Sequence, residues 1–140
     1  MLNPSAIPQK SFDNLHVPTR PTYIELAHWE EWWQSGVAPE LIINNIRSLV
    51  GAAPYDYLCY SDSLERTNTG RLVSHLIRQY AHTEQGGWWC SGVEPSTGEP
   101  MLWGCFKPDR PRLDFEQRKK IKYEHPPKTP TRAFFLNVSD

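Results

Sequence analysis

The sequence predicts an α+β fold in which N-terminal helices pack on a small C-terminal antiparallel sheet of hairpins. Apolar side chains recur at helical spacing through residues 22–85, whereas short aromatic runs punctuated by Gly and Pro fill residues 86–138, as in strands and hairpins. A chain of 140 residues has the usual size of one domain. We therefore expect a single domain over residues 22–140, with its helical part first and its β-rich part second.

The first 21 residues are expected to form an irregular, Pro-rich lead-in. They contain four prolines and no apolar period. No helix or strand is predicted for them.

The first two helices are expected to form a tight pair. Helix one is predicted to begin at the capping box Thr22-Tyr-Ile-Glu25 and to end at Gly36. Its apolar side chains recur at helical spacing: Leu26, Trp29, Trp32 and Trp33. Helix two is predicted from Pro39 to Val50 with Gly51 as its stop, because Pro is favoured at the first helical position and apolar residues share one side.

Two further helices are predicted in the first half. A short one fits residues 54–60, and the polar run 61–70 that follows is typical of a loop. A longer helix fits residues 71–82, where apolar side chains recur at i, i+1, i+4, i+5 and i+8.

The β-rich part is predicted to contain five strands. Residues 88–92 and 101–106 form one hairpin across a turn-rich connection, and residues 112–115 and 120–124 form a second. A last strand is predicted over residues 132–138, after a Pro-rich bend. Since successive strand residues face opposite sides, one of the two rings in Trp88-Trp89 is expected to face solvent.

Composition excludes a secreted or membrane protein. The chain has three cysteines, an odd and sparse set that does not suit a disulfide framework. No segment approaches the roughly 18 consecutive apolar residues of a membrane span, and the N-terminus lacks a signal-peptide pattern. We expect reduced thiols, a cytoplasmic location and no membrane partner.

No metal or other cofactor is expected. The potential ligands are widely spaced: Cys59, His75, His82, Cys90 and Cys105. Structural zinc sites draw their ligands in close local pairs, which these residues do not form. Cys90 and Cys105 are instead predicted to pack against each other on neighbouring strands.

An enzyme acting alone is also not expected. The sequence has no P-loop, dinucleotide fingerprint or nucleophile elbow. Carboxylates of the basic stretch are expected to pair with Arg or Lys. Only a bound metal, or a cleft joining Asp109, Glu124 and His125, would favour catalysis.

Charge is distributed unevenly, although the formal net charge is only −1. Residues 107–132 carry nine basic and four acidic side chains, a balance of +5, which leaves −6 for the rest of the chain. Basic residues neutralise phosphates and aromatic rings stack on unpaired bases, so their mixture favours single-stranded nucleic acid. The candidate nucleic-acid contacts are Trp88, Trp103, Lys107, Arg110, Arg112, Lys119, Lys120, Lys122, Tyr123, Lys128 and Arg132.

Six stretches are rich in Trp, Pro and charged residues. They are His28-Trp-Glu-Glu-Trp, Ser35-Gly-Val, Asn44-Asn-Ile-Arg-Ser-Leu, Gly86-Gly-Trp-Trp-Cys-Ser-Gly, Trp103-Gly-Cys-Phe-Lys-Pro-Asp-Arg-Pro-Arg and Ile121-Lys-Tyr-Glu-His-Pro-Pro-Lys-Thr-Pro-Thr-Arg. In this order, over residues 28–138, they resemble the N-terminal region of cyanobacterial plasmid replication proteins, which precedes a Toprim-like and helicase portion. The resemblance implies a role in replication initiation. The chain has no Walker motif or Asp-x-Asp metal pair, so neither ATP hydrolysis nor primer synthesis is expected of it.

The first hypothesis is therefore a non-catalytic nucleic-acid-binding module of a plasmid DNA replication protein, a primase–helicase-associated part that contacts single-stranded or forked DNA. Other replication proteins or downstream catalytic domains are further expected partners. The alternative is a protein-interaction or oligomerisation module that uses the Trp-rich first helix, since exposed Trp side chains anchor interfaces.

Overall fold

The computed structural model describes residues 19–138 and has the α+β fold that the sequence predicts. The predicted lead-in therefore lies almost wholly outside the described residues. The helices are α1 (Leu26–Gln34), α2 (Pro39–Asn45), α3 (Ala53–Leu58), α4 (Ser74–Tyr80) and a 3₁₀ helix (Ala81–Gln85). The strands are β1 (Ile46–Leu49), β2 (Gly87–Cys90), β3 (Cys105–Pro108), β4 (Leu113–Asp114) and β5 (Lys119–Lys120). Among the described residues, no helix is long and apolar enough to cross a membrane.

An antiparallel sheet of order β1-β2-β3 forms the middle layer, and β4 and β5 form a separate hairpin. Trp88 of β2 pairs with Ser48 and Lys107, and its side chain belongs to a core cluster with α1 and α2. The next residue, Trp89, faces the opposite cluster, which contains Phe106 and residues of α3 and α4. Helices therefore cover both faces of the sheet. Both Trp side chains are buried, so the expectation that one faces solvent is wrong.

Strand β1 corrects the predicted second helix. The helix ends at Asn45, and the four residues that follow pair with β2. The Asn45 side-chain amide donates to the Leu41 carbonyl and to the Asn137 carbonyl, and its oxygen accepts the Asn137 N–H. Pairing with the central strand outweighs the helical spacing of Ile46 and Leu49, because only tertiary structure provides the partner.

Helix α1 begins later than the predicted capping box. Its N-cap is Glu25, whose backbone N–H donates to the Ser48 hydroxyl at 2.8 Å, while Thr22 lies in the preceding turn. The sheet thus supplies the hydrogen bond that local sequence was expected to supply. The predicted short helix and the polar loop after it are confirmed, and the fourth helix continues as the 3₁₀ turn.

The predicted strands of the second half are shifted or shortened. The Ser91 hydroxyl bonds the carbonyls of Met101 and Trp103, so regular pairing begins only at Cys105. Residues 132–138 form one isolated bridge, Val93 with Phe135, rather than a strand. Cys90 does pair with Cys105 across β2 and β3, as predicted.

Candidate functional site

Two of the predicted nucleic-acid contacts lie in the interior. Trp88 is 6% exposed and Trp103 is 8% exposed. The Trp103 indole N–H donates to the Thr129 hydroxyl at 3.0 Å, and the ring stacks on His125 with 5.0 Å between centroids. A base cannot stack on rings that are already covered, so the structure contradicts a stacking role for Trp88 and Trp103.

Three predicted cationic contacts already bind carboxylates. Lys107 pairs with Glu31 at 2.5 Å, and the Arg132 guanidinium pairs with Glu94. The Arg112 guanidinium forms a bidentate ion pair with the Glu124 carboxylate, with hydrogen bonds of 2.8 Å and 3.0 Å. These ion pairs join separate segments of the chain. The positive charges of Lys107, Arg112 and Arg132 are therefore already paired with carboxylates within the fold.

The remaining predicted contacts reach solvent. Within residues 19–138 their side chains form no ion pair, and they are Arg110, Lys119, Lys120, Lys122, Tyr123 and Lys128. Tyr123 is 44% exposed, and its ring packs at a tilted angle against the Trp88 ring with 6.1 Å between their centroids. Tyr123 thus extends the buried aromatic cluster to the surface and presents an aromatic surface beside Lys122.

The hairpin of β4 and β5 carries an aromatic side chain that the list of predicted contacts lacks. Phe115 follows β4 at the start of the connecting turn and is 83% exposed. The Asp114 carboxylate accepts the N–H groups of Glu116 and Gln117, and Arg118 adopts the left-handed backbone conformation with φ of 55°. The signal was visible in the sequence as an aromatic residue among basic ones, but only the turn shows its exposure.

A buried ionic network anchors the base of this hairpin. Glu124 is 3% exposed and accepts hydrogen bonds from Arg112 and from His82, whose Nε2 lies 3.1 Å away. Burial raises the pKa of the Glu124 carboxyl, but the His82 and Arg112 bonds outweigh it and lower that pKa. The guanidinium of Arg112 also lies over the Tyr80 ring at 5.2 Å. The network of Glu124, Arg112 and His82 therefore fixes the base of the β4–β5 hairpin.

A second polar cluster surrounds the imidazole of His28, which is 3% exposed on α1. Its Nδ1 lies 2.6 Å from the Ser48 Oγ and its Nε2 lies 2.8 Å from the Asp109 Oδ1. The Ser48 oxygen also accepts the Glu25 N–H. Nitrogen or oxygen atoms of Glu25, His28 and Asp109 all lie within 4.8 Å of one another. The sequence prediction missed this cluster because Asp109 lies 81 residues after His28.

The three residues that would have favoured catalysis do not share a cleft. Asp109 contacts His28, Glu124 contacts His82 and Arg112, and His125 stacks on Trp103.

Burial raises the pKa values of the three thiols, to about 11 for Cys59, about 12 for Cys90 and about 11 for Cys105. The raised pKa values disfavour the thiolate forms that metals bind.

The Trp-rich helix is largely used in the core. Trp29 is buried, and Trp32 packs edge-on against Trp88 with 4.9 Å between centroids. Trp33 stacks on Trp29 and packs against the same cluster. None of these three rings is exposed, so they do not form the exposed anchors that a partner protein would bind.

Comparisons with known proteins add one relative. An uncharacterized protein of Picosynechococcus sp. (strain ATCC 27264 / PCC 7002 / PR-6) is 53% identical over 121 residues, which are 85% of this chain and 12% of that protein. Since 121 residues are 12% of it, the relative is about 1,000 residues long. No family model matches the chain, and no solved structure matches it.

Proposed function

We propose that this chain is a non-catalytic nucleic-acid-binding module of a plasmid DNA replication protein, and that it contacts single-stranded or forked DNA in the cytoplasm. The observation that carries the proposal is Phe115, which is 83% exposed on the hairpin of β4 and β5, among basic side chains that form no ion pair with any residue from 19 to 138. The link to plasmid replication rests on the sequence resemblance. A matching segment within a protein of about 1,000 residues suits a binding module that works beside other domains.

The charge of the hairpin is available to an anion. Arg118, Lys119 and Lys120 are exposed and form no ion pair within residues 19–138. Lys119 and Lys120 are adjacent on one strand, so their side chains leave the two-stranded ribbon on opposite sides. A strand passing on either side of the ribbon would meet a cation, which suits the two arms of a fork.

The aromatic ring supplies the second half of the interaction. Exposure of Phe115 leaves its apolar surface in water, and burying it against a base recovers part of that cost. Stacking of this kind contributes about 1–3 kcal/mol per base and tolerates any sequence. Single strands expose base faces and duplexes do not, so Phe115 favours single-stranded over fully paired DNA.

The test is fluorescence anisotropy of the full chain with labelled single-stranded, forked and duplex DNA of equal length, at several salt concentrations in EDTA. With about four to six phosphate contacts, the logarithm of the affinity for a single strand falls against the logarithm of salt with a slope of about −3 to −4. The proposal expects the single-stranded and forked forms to bind more tightly than the duplex. No binding to any of the three at low salt would refute it.

Two variants separate the contributions. Phe115→Ala removes the ring and is expected to weaken single-strand binding about 5- to 160-fold with an unchanged salt slope, since about 1–3 kcal/mol is lost. Lys119→Glu with Lys120→Glu is expected to weaken binding and to reduce the slope. The matched control is Arg71→Glu with Arg78→Glu, which changes two exposed cations by the same total charge outside the basic stretch. Equal losses in both double variants would show a non-specific charge effect instead.

A further inference from the structure

We infer that Glu25, His28 and Asp109 form a binding site for one divalent transition-metal ion, with Zn²⁺ and Mn²⁺ as the best-suited classes. One imidazole nitrogen and carboxylate oxygens form a mixed ligand set that both ions accept. The three ligand atoms already lie within 4.8 Å of one another. This site uses none of the residues proposed to contact DNA and does not depend on them.

The sheet and α1 bring these residues together at one end of the fold. Ser48 lies near the end of β1, Gly86 immediately precedes β2, and Asp109 immediately follows β3. His28 of α1 sits over this end, where it contacts both Ser48 and Asp109. Each side chain is thus positioned by a regular element or its terminus, as a preorganised ligand set requires.

The central ligand is held by a second hydrogen bond. Metal-bound imidazoles direct their other ring nitrogen to an oxygen, which fixes the ring and its tautomer. The Ser48 Oγ lies 2.6 Å from the His28 Nδ1 and can accept its N–H, because a hydroxyl oxygen has two lone pairs and Glu25 N–H uses one. In the metal-bound form the proton is on Nδ1 and the lone pair of Nε2 binds the ion, whereas without the ion the 2.8 Å contact is a hydrogen bond in which the Nε2–H donates to the Asp109 carboxylate. A cation between Nε2 and the carboxylate stabilises the tautomer with the proton on Nδ1.

The charge and the surroundings of the Glu25 and Asp109 carboxylates suit a cation. Within residues 19–138 neither Glu25 nor Asp109 pairs with a Lys or Arg, and Lys107 nearby in sequence is engaged by Glu31. Gly86 leaves space beside Asp109, since a Cβ there would lie 3.1 Å from the Asp109 Oδ2. The Asp109 N–H donates to the Gly86 carbonyl at 2.8 Å, which fixes the backbone, while the carboxylate contacts the His28 Nε2 through its Oδ1.

The required adjustment is small. Two metal bonds of about 2.1 Å at an angle near 100° separate nitrogen and oxygen by about 3.2 Å, whereas Nε2 and Oδ1 lie 2.8 Å apart. Replacing the proton by an ion therefore opens this contact by a few tenths of an ångström. The exposed Glu25 side chain completes the set by rotation, and solvent supplies the remaining ligands.

The test is calorimetric titration of the untagged, chelator-treated full chain with Mn²⁺ and, separately, Zn²⁺. One ion per chain is expected. Glu25→Gln and Asp109→Asn are each expected to weaken binding at least about tenfold, because each removes a charged ligand, while Glu30→Gln on the same helix is the matched control and binds as the unaltered chain does. Both test positions are exposed, so these variants keep the fold, whereas His28→Gln would alter a buried side chain.

Mn²⁺ distinguishes this site from the thiols, which it binds poorly. Absence of Mn²⁺ and Zn²⁺ binding at about 100 μM would overturn the proposal, and so would binding that survives Glu25→Gln combined with Asp109→Asn. Since DNA binding is measured in EDTA, failure of either proposal leaves the other intact.

Discussion

Replacement of Arg112 by Met is expected to cost about 3 kcal/mol of folding free energy. The Glu124 carboxylate is 3% exposed, and Arg112 provides two of its three side-chain hydrogen bonds. Removing one member of a buried ion pair typically costs about 3–5 kcal/mol, because the partner charge stays buried without compensation. Arg112 is itself 27% exposed and His82 keeps one bond, so the lower end of that range applies.

Urea unfolding followed by Trp fluorescence measures this cost. The control is Arg110→Met, an exposed cation that forms no ion pair within residues 19–138 and whose loss should change stability by no more than about 0.5 kcal/mol. Adding Glu124→Gln to Arg112→Met removes the stranded charge and should recover about 1–2 kcal/mol. A loss below about 1 kcal/mol for Arg112→Met, or a double variant less stable than Arg112→Met alone, would refute the assignment of Glu124 as a charge that Arg112 compensates.

Two further predictions concern pH and backbone packing. The pKa of Glu124 is lowered from its ordinary value of 4.5, so its ionised form stabilises the fold above about pH 4.5. That contribution is lost as the pH falls through the pKa of Glu124 in the folded state. Urea unfolding between pH 7 and pH 3 should therefore show a smaller loss of stability on acidification for Glu124→Gln than for the unaltered chain. A Cβ on Gly87 would lie 2.3 Å from the Lys107 carbonyl oxygen, whereas one on Gly98 meets nothing within 4 Å. Gly87→Ala should therefore cost more than about 3 kcal/mol, against about 1 kcal/mol for Gly98→Ala, which only strains a φ of 75°; equal melting temperatures for the two variants would contradict this.

The fold class follows from the sequence because periodicity and turn residues are local signals. The short third helix and the pairing of Cys90 with Cys105 were predicted correctly for that reason. Strand β1 was missed because four apolar-rich residues after a helix suit either structure, and the hydrogen bonds of β2 decide between them. The start of α1 depends in the same way on Ser48, which no local pattern reveals.

The candidate sites divide along the same line. Residue types identified the basic and aromatic stretch, but they did not show that Trp88 and Trp103 are core residues. They also did not reveal the His28 cluster, whose Asp109 is 81 residues further along the chain. Spacing rules detect sites that one loop or helix builds, whereas this cluster requires the ends of three strands and a helix to meet.

Several basic side chains of the positive stretch are paired with carboxylates in the folded structure. Lys107 and Arg132, in the basic stretch, bind Glu31 and Glu94 from the acidic remainder, so part of the separation along the chain is cancelled in space. Arg112 is neutralised within the stretch itself by Glu124. The hairpin residues Lys119 and Lys120, which form no ion pair in the described part of the chain, lie near Phe115 on the same hairpin and make a smaller positive surface than the stretch suggests. Under the proposed function, this short ribbon with cations on both sides and one exposed ring would engage a few nucleotides, and a fork is the substrate that would use both of its sides.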